Sequence, residues 1–219
     1  MAYIDLYCER LDPGLLAEPL NAATNLAFFA AAWMLWRETR HDGARPPEFP
    51  LLIGLIVAIG IGSALFHTFA ETWAMVADLV PIMLFQLAFL WTYARRVMKW
   101  QNAPSAALIA GFLAVALYGR QFPQVANGSM IYAPAIAVLL ALGVYHWLRG
   151  GVGRGLLLVA TGAFIVSLTV RTADSAVCPN FPLGTHFLWH LINPLVLYLC
   201  VRAVNIATAV RERASARLL

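Results

Sequence analysis

Five polar residues sit in apolar stretches where their types and spacing would do chemistry: Ser63 and His67 in GSALFHTF, Asp78 in MVADLVP, and His186 with His190 in THFLWHLINP. His186 and His190 are four residues apart, so on a helix they stack on one face, about 6 Å apart along the axis, and can grip one ion. Ser63 and His67 share that spacing. Three neutral imidazoles around Zn2+ leave a fourth position for water, whose pKa falls to about 7. A carboxylate such as Asp78 would then move the proton, and the Ser63 hydroxyl would hydrogen-bond the developing oxyanion or orient that water. The reaction such a set suits is metal-assisted hydrolysis of a carbonyl bond.

Each residue alone has a plainer reading. A single His in a membrane helix more often bonds a neighbouring helix, Ser63 beside Gly60 and Gly62 is a small packing residue, and Asp78 suits a structural ion pair. What favours the sharper reading is coincidence, because ligating or charged side chains at membrane depth are costly unless paired or coordinated.

The elements that must position these residues follow from composition. A mean hydropathy of +0.73, with 61% hydrophobic and 12% charged residues over 219 positions, is far from the soluble mix, in which about a quarter of residues are charged. The expected fold is an all-α integral membrane bundle. Apolar stretches at 20–35, 50–66, 73–93, 104–118, 131–148, 155–170 and 185–206 give seven transmembrane helices. They divide the chain into an extramembrane amino segment (1–19), a transmembrane domain (20–206) and a basic tail (207–219). Connectors such as HDGARPPEFP and CPNFPLG carry the helix-breaking Pro and Gly.

Basic residues set the orientation. Arg37, Arg40, Arg45, Arg95, Arg96, Lys99, Arg149, Arg154, Arg202, Arg211, Arg213 and Arg217 lie in connectors one, three and five or the tail, against Arg10, Arg120 and Arg171 on the other side. The positive-inside rule then puts the amino terminus outside and the carboxyl terminus in the cytoplasm. With that orientation Ser63, His67, Asp78, His186 and His190 all fall at the outer level, although none of them entered the orientation argument. His41 and His146 lie toward the inner side, away from the set. The polar start MAYIDLYCERLDPGLLAEP is unlike a cleavable signal peptide, and it is expected to stay outside, folded over the bundle mouth. The pI near 9.2 follows from inner-face arginines and anionic lipid, and implies no nucleic acid.

The order SALFH, an Asp eleven residues after that His, and HFLWH late in the chain resembles the alkaline ceramidase family and its superfamily relatives, the progestin and adiponectin receptor proteins. The amino-terminal CER followed by AEPLNAATN resembles the Cys-Glu and Glu-x-x-Asn elements of the ceramidases in particular. The resemblance runs from Cys8 to His190. It implies a seven-helix, zinc-dependent amide hydrolase that splits ceramide or a related N-acyl lipid into an amine lipid and a fatty acid. Zinc would rest on His67, His186 and His190, with Ser63 and Asp78 completing the site and a membrane lipid as the partner; no obligate protein partner is evident.

The family's amino segment also binds Ca2+, which implies a calcium site here from Glu9 and Glu18, with Asp5 and Asp12 as nearby oxygen donors. The match is incomplete: Leu6-Tyr7 stands where the family has Asp-Trp, and the loop to Glu18 is about two residues shorter. A solvated acidic segment is the equal alternative. Cys8 and Cys178 both fall on the outer side, where an oxidising compartment allows a disulfide, and the resemblance points the same way. Cys200, deep in the last span, reads as inert core.

Two other classes use small seven-helix scaffolds. A receptor on the same zinc-binding scaffold is the alternative, although the chain has no soluble domain and does have the ceramidase-like amino motif. A retinal protein needs a buried Lys, and the only lysine is Lys99 in an inner connector. Heavy use of Arg over Lys points to a bacterial source, with the site facing the periplasm from an inner membrane; in a eukaryote the same side is luminal.

Overall fold

The computed structural model describes residues 3–40 and 46–216, with side chains to 209, and these residues form helices and no strands. In chain order the helices are α1 (Pro19–Thr24), α2 (Leu26–Arg40), α3 (Glu48–Phe69), α4 (Thr72–Thr92), α5 (Asn102–Gly119), α6 (Ala133–Arg149), α7 (Leu156–Val177) and α8 (His186–Ala216). A π-helical extension, Tyr93–Met98, prolongs α4, and a 3-10 stretch, Val125–Tyr132, leads into α6. His41 and Arg45 of the first connector, and Arg217 of the tail, lie outside the described residues.

Six helical segments are long and apolar enough to cross a membrane: Glu48–Phe69, Thr72–Met98, Asn102–Gly119, Val125–Arg149, Leu156–Val177 and His186–Ala209. The exception among the seven expected spans is the first. Its residues fold as α1 and α2 on either side of Asn25, and the 15 residues of α2 rise only about 22 Å. The joint is mild, since Asn25 keeps right-handed helical angles (φ −62, ψ −15). Its buried amide Nδ2 donates back to the Asn21 carbonyl at 2.9 Å.

The hairpin of α3 and α4 has a clear local cause. Ala70 adopts a left-handed conformation (φ 49, ψ 38), its N–H closes α3 on the Phe66 carbonyl at 2.8 Å, and α4 begins two residues later. The helices then touch backbone to backbone, as the small residues foretold. A Cβ on Gly62 would lie 2.0 Å from the Ala77 carbonyl oxygen and 3.1 Å from the Asp78 Cα. Pro81 has no N–H to offer the carbonyl four residues back, which is that of Ala77, so this oxygen is free to face Gly62. Gly60 plays the same part against α2, where a Cβ would meet that of Phe28 at 2.9 Å.

Gly62→Ala is therefore expected to cost about 1–3 kcal/mol through overpacking and to push Ser63 away from Asp78. Gly54→Ala on the same helix meets nothing within 4 Å and is expected to be neutral or slightly stabilising, since Ala is the better helix former. Thermal unfolding in detergent compares the two; equal midpoints would refute the contact.

At the end of the bundle away from Gly62, guanidinium groups lie over tryptophan rings: Arg37 over Trp33 at 4.8 Å, Arg154 over Trp147 at 4.3 Å, and Arg95 over Trp91 at 6.0 Å. Arg96 grips Glu48 with two nitrogens at 2.9–3.1 Å. His146 belongs to this end, bonded through Nδ1 to the Tyr93 hydroxyl at 2.9 Å. The opposite end is covered by residues 3–18, which cross the mouth and join the α3–α4 turn through the Ile4 N–H and the Ala70 carbonyl at 2.7 Å.

Candidate metal centre

His67 lies in the last turn of α3, and His186 and His190 in the first turns of α8. All three are buried, at 1–2% exposure. One ligand atom from each lies within 4.8 Å of the others, and the ring centroids are 4.6–5.1 Å apart. Three imidazole nitrogens about 2.1 Å from one tetrahedral centre stand roughly 3.4 Å apart. Small ring rotations would close that difference.

Two of the rings have their tautomer set from behind. The Thr24 hydroxyl donates to the Leu20 carbonyl at 2.8 Å, so its oxygen is left to accept from His190 Nδ1 at 3.2 Å. Glu18 Oε2 accepts from His67 Nδ1 at 2.5 Å. With Nδ1–H engaged, each ring keeps its Nε2 lone pair for a metal, the usual carboxylate- or hydroxyl-backed arrangement of ligating histidines. Burial alone would raise the Glu18 carboxyl, but His67, then Arg10 and Asn21, outweigh it and hold it below the ordinary carboxylate range. The third ring, His186, stacks flat on Tyr7 with centroids 3.5 Å apart. Its Nδ1 is buried and has no hydrogen-bond partner among the described residues. A buried orphan nitrogen is costly unless something coordinates it, so the triad fits a metal ion that accepts imidazole.

Ser63 and Asp78 stand beside the triad. The Ser63 hydroxyl lies 3.4 Å from His190 Nε2 and also interacts with the half-buried Asp78 carboxylate, which feels His67 and Arg171 in turn. Arg171, on α7, donates from Nη1 to Ser129 Oγ at 2.8 Å and sits 5.6–5.9 Å from the rings of Tyr7, Tyr132 and Trp189. Burial pushes the Tyr7 phenol above its ordinary range, against the pull of Arg171. Tyr7 is therefore a neutral wall of the site at physiological pH.

The calcium expectation gains no support. Asp5, Glu9, Asp12 and Glu18 do not gather into one ligand set among the described residues. Glu9 takes the Leu20 and Asn21 N–H groups at 2.6 and 2.8 Å, which caps the start of α1. Glu18 is divided between Arg10 and His67. Asp12 closes its own turn on the Gly14 N–H at 2.6 Å, and Asp5 lies exposed. Glu9, Asp12 and Glu18 thus serve the chain's own donors.

Cys8 and Cys178 form a disulfide with Cα atoms 5.3 Å apart, tying the amino segment to the end of α7. Cys200 is free and buried. Beside the bridge lies a residue that the sequence reading missed. Asp174 is fully buried, and its carboxylate accepts N–H bonds from Cys8 at 2.9 Å, Thr185 at 2.6 Å and His186 at 2.9 Å. It therefore supplies, from α7, the cap that starts α8 where His186 needs to be. The one available signal was an Asp four residues before Cys178.

Below the triad an apolar cavity holds some 750 Å3 of space, its opening included. Its lining follows α8 from Trp189 to Cys200, about 16 Å of helix. The polar side chains on its wall include Gln86 and Asn193. Trp189 touches both regions, its ring parallel to that of His186 at 6.5 Å and 5.1 Å from Tyr132.

Among curated proteins none is similar enough to match the chain. A family model described as Ceramidase matches residues 10–218, nearly the whole length and every residue of the triad. The chain belongs to the ceramidase family.

Proposed function

We propose that this protein is a zinc-dependent intramembrane hydrolase that cleaves ceramide or a related N-acyl lipid to an amine lipid and a fatty acid. The observation that carries the reading is a buried imidazole triad, two of its rings already anchored through Nδ1, set beside Ser63 and Asp78 next to an apolar cavity. Zn2+ held by His67, His186 and His190 would supply Lewis acidity and a water acidic enough to ionise near neutral pH.

The remaining chemistry falls to the chain's own groups. Asp78 takes the water's proton and returns it to the leaving amine. The Ser63 hydroxyl, lying between Asp78 and His190, is placed to donate to the carbonyl oxygen as negative charge develops there. Trp189 and Tyr132 line the part of the cavity next to His186, where an acyl chain would stay in apolar surroundings while its amide reaches the polar end. Tyr7 and the amino segment close the site from above and limit bulk water.

We read α1 and α2 together as the first of seven spans, since Asn25 hardly bends the chain and the pair continues from the mouth toward the Arg–Trp girdle. With that girdle cytoplasmic the amino terminus is outside, and the triad faces the outer aqueous phase. The amino segment, the bundle and the basic tail are then three functional parts of one domain.

Metal analysis of the purified protein together with a lipidomic screen of hydrolysis tests the reading. About one zinc per chain and release of fatty acid from an N-acyl lipid are the expected results. Stoichiometric zinc with no lipid turnover would favour a receptor on the same scaffold, and no zinc would refute the metal centre.

A further inference from the structure

The segment ahead of α1 folds into a small cage of oxygen atoms: Glu18 Oε1 and the main-chain carbonyls of Asp12, Gly14 and His67. One carboxylate with several carbonyls is a donor set suited to a hard cation. The Arg10 guanidinium fills the cage. Its Nε lies 2.6 Å from Glu18 Oε1, Nη1 lies 3.3 and 3.2 Å from the Asp12 and Gly14 carbonyls, and Nη2 lies 2.8 Å from the His67 carbonyl. Arg10 is 2% exposed.

Charge and donor count both argue against a second cation in that cage. The one carboxylate is neutralised by the guanidinium, and a Ca2+ ion asks for six to eight oxygens with net negative charge, which the committed Glu9 and the exposed Asp5 do not bring. Arg10 also has a use that a spherical ion would meet less well. The His67 carbonyl belongs to the last turn of α3, where helical partners run out, and a cation at that end is favoured by the helix dipole. Through Nη2 the guanidinium holds the main chain of His67, and through Nε it holds Glu18, whose other oxygen holds the His67 ring. A planar fork can address these points at fixed angles, whereas a lysine ammonium cannot.

We infer that Arg10 is a built-in cation in the place where the family resemblance implies calcium, so that the amino segment works without a divalent ion, and that Arg10 is a positioning residue for His67. The second half rests on the reading of His67 as a metal ligand; the first half does not.

Calorimetric titration of calcium-free protein with Ca2+, combined with thermal unfolding, tests the first half. The expected result is no saturable heat and a change in midpoint of no more than about 1 °C. Saturable stabilisation of the wild type by Ca2+ would overturn it. Arg10→Lys, which keeps the charge and is the variant more certain to fold, tests the second. Protein loaded with Co2+ is followed by its visible ligand-field bands, and zinc affinity is measured by competition. Loss of the fixed second layer is expected to weaken metal binding about 10- to 100-fold and to shift the bands. Unchanged affinity and bands in folded Arg10→Lys would overturn the positioning role. If the wild type binds no zinc, the proposed function fails while the calcium result still stands or falls on its own.

Discussion

Replacing His190 by Ala is expected to remove both the bound metal and all measurable amide hydrolysis, whereas replacing Asp78 by Asn is expected to remove hydrolysis and leave the metal in place. His190 is held between Thr24 and Ser63 and is one of only three imidazoles in the cluster, so its loss leaves two ligands, too few for a stable tetrahedral site. Asp78 is linked to the triad through its hydrogen bond with Ser63 and through its charge beside His67. Its amide analogue keeps the shape but cannot carry a proton, which should lower kcat by about 10²–10⁴-fold. Zinc content by mass spectrometry and fatty-acid release from one N-acyl lipid, measured on both variants, decide the matter. Hydrolysis retained by His190→Ala would remove the triad from catalysis, and zinc lost by Asp78→Asn would make the carboxylate a ligand instead of a proton carrier.

The contrast between these two residues also marks what could be read from the chain alone. Spacing of four on helices, and the arrival of three histidines, a serine and an aspartate at one depth, are periodic properties that survive without coordinates. They placed the five residues together, and the structure brings all five within contact of one another or of a shared neighbour. The second layer has no such period. Glu18 was read as an oxygen donor for calcium because it matches the family's amino-terminal pattern, yet whether a carboxylate faces an ion or an imidazole depends on how the amino segment folds over the mouth. Arg10 counted only as one of three basic residues on the sparse side. Its role depends on the Asp12–Gly14 turn bringing two carbonyls to within 3.3 Å of its Nη1, which no pattern in the sequence announces.

The first span shows the same limit for the fold. Leu20 to Leu35 reads as a membrane run because most of it is apolar, but Thr24 bonds His190, Asn21 bonds the Glu18 that holds His67, and Asn25 folds its amide back on the Asn21 carbonyl. Those polar contacts divide the run into α1 and α2. Gly62, by contrast, was readable as a close-approach residue from its size, because small residues in a membrane helix let neighbouring backbones come together.

Asp174→Ala is expected to be the most destabilising single change in the half of the bundle that holds the triad. Three main-chain N–H groups, those of Cys8, Thr185 and His186, converge on this one fully buried carboxylate. Each buried donor left without a partner costs about 1–3 kcal/mol. Together they threaten most of a typical margin of about 5–15 kcal/mol. Gly184 offers no alternative packing: its φ of +64 and the 2.2 Å that would separate a Cβ from Asp174 Oδ1 show the backbone already closed around the carboxylate. The Cys8–Cys178 bridge holds the same junction covalently, and its removal by Cys8→Ser is expected to cost about 2–4 kcal/mol.

Because both devices fasten one segment, their effects should not add. Once Asp174 is gone the bridge alone still holds the amino segment at Cys8, and once the bridge is gone Asp174 still does, so the double variant should lose more than the sum of the single losses. Thermal unfolding of the four proteins, with zinc affinity measured alongside, separates this from two independent contacts. Additive losses would mean that the bridge and the carboxylate stabilise different parts of the bundle. A normal zinc affinity in folded Asp174→Ala would show that the start of α8 does not need this cap to bring His186 to the metal.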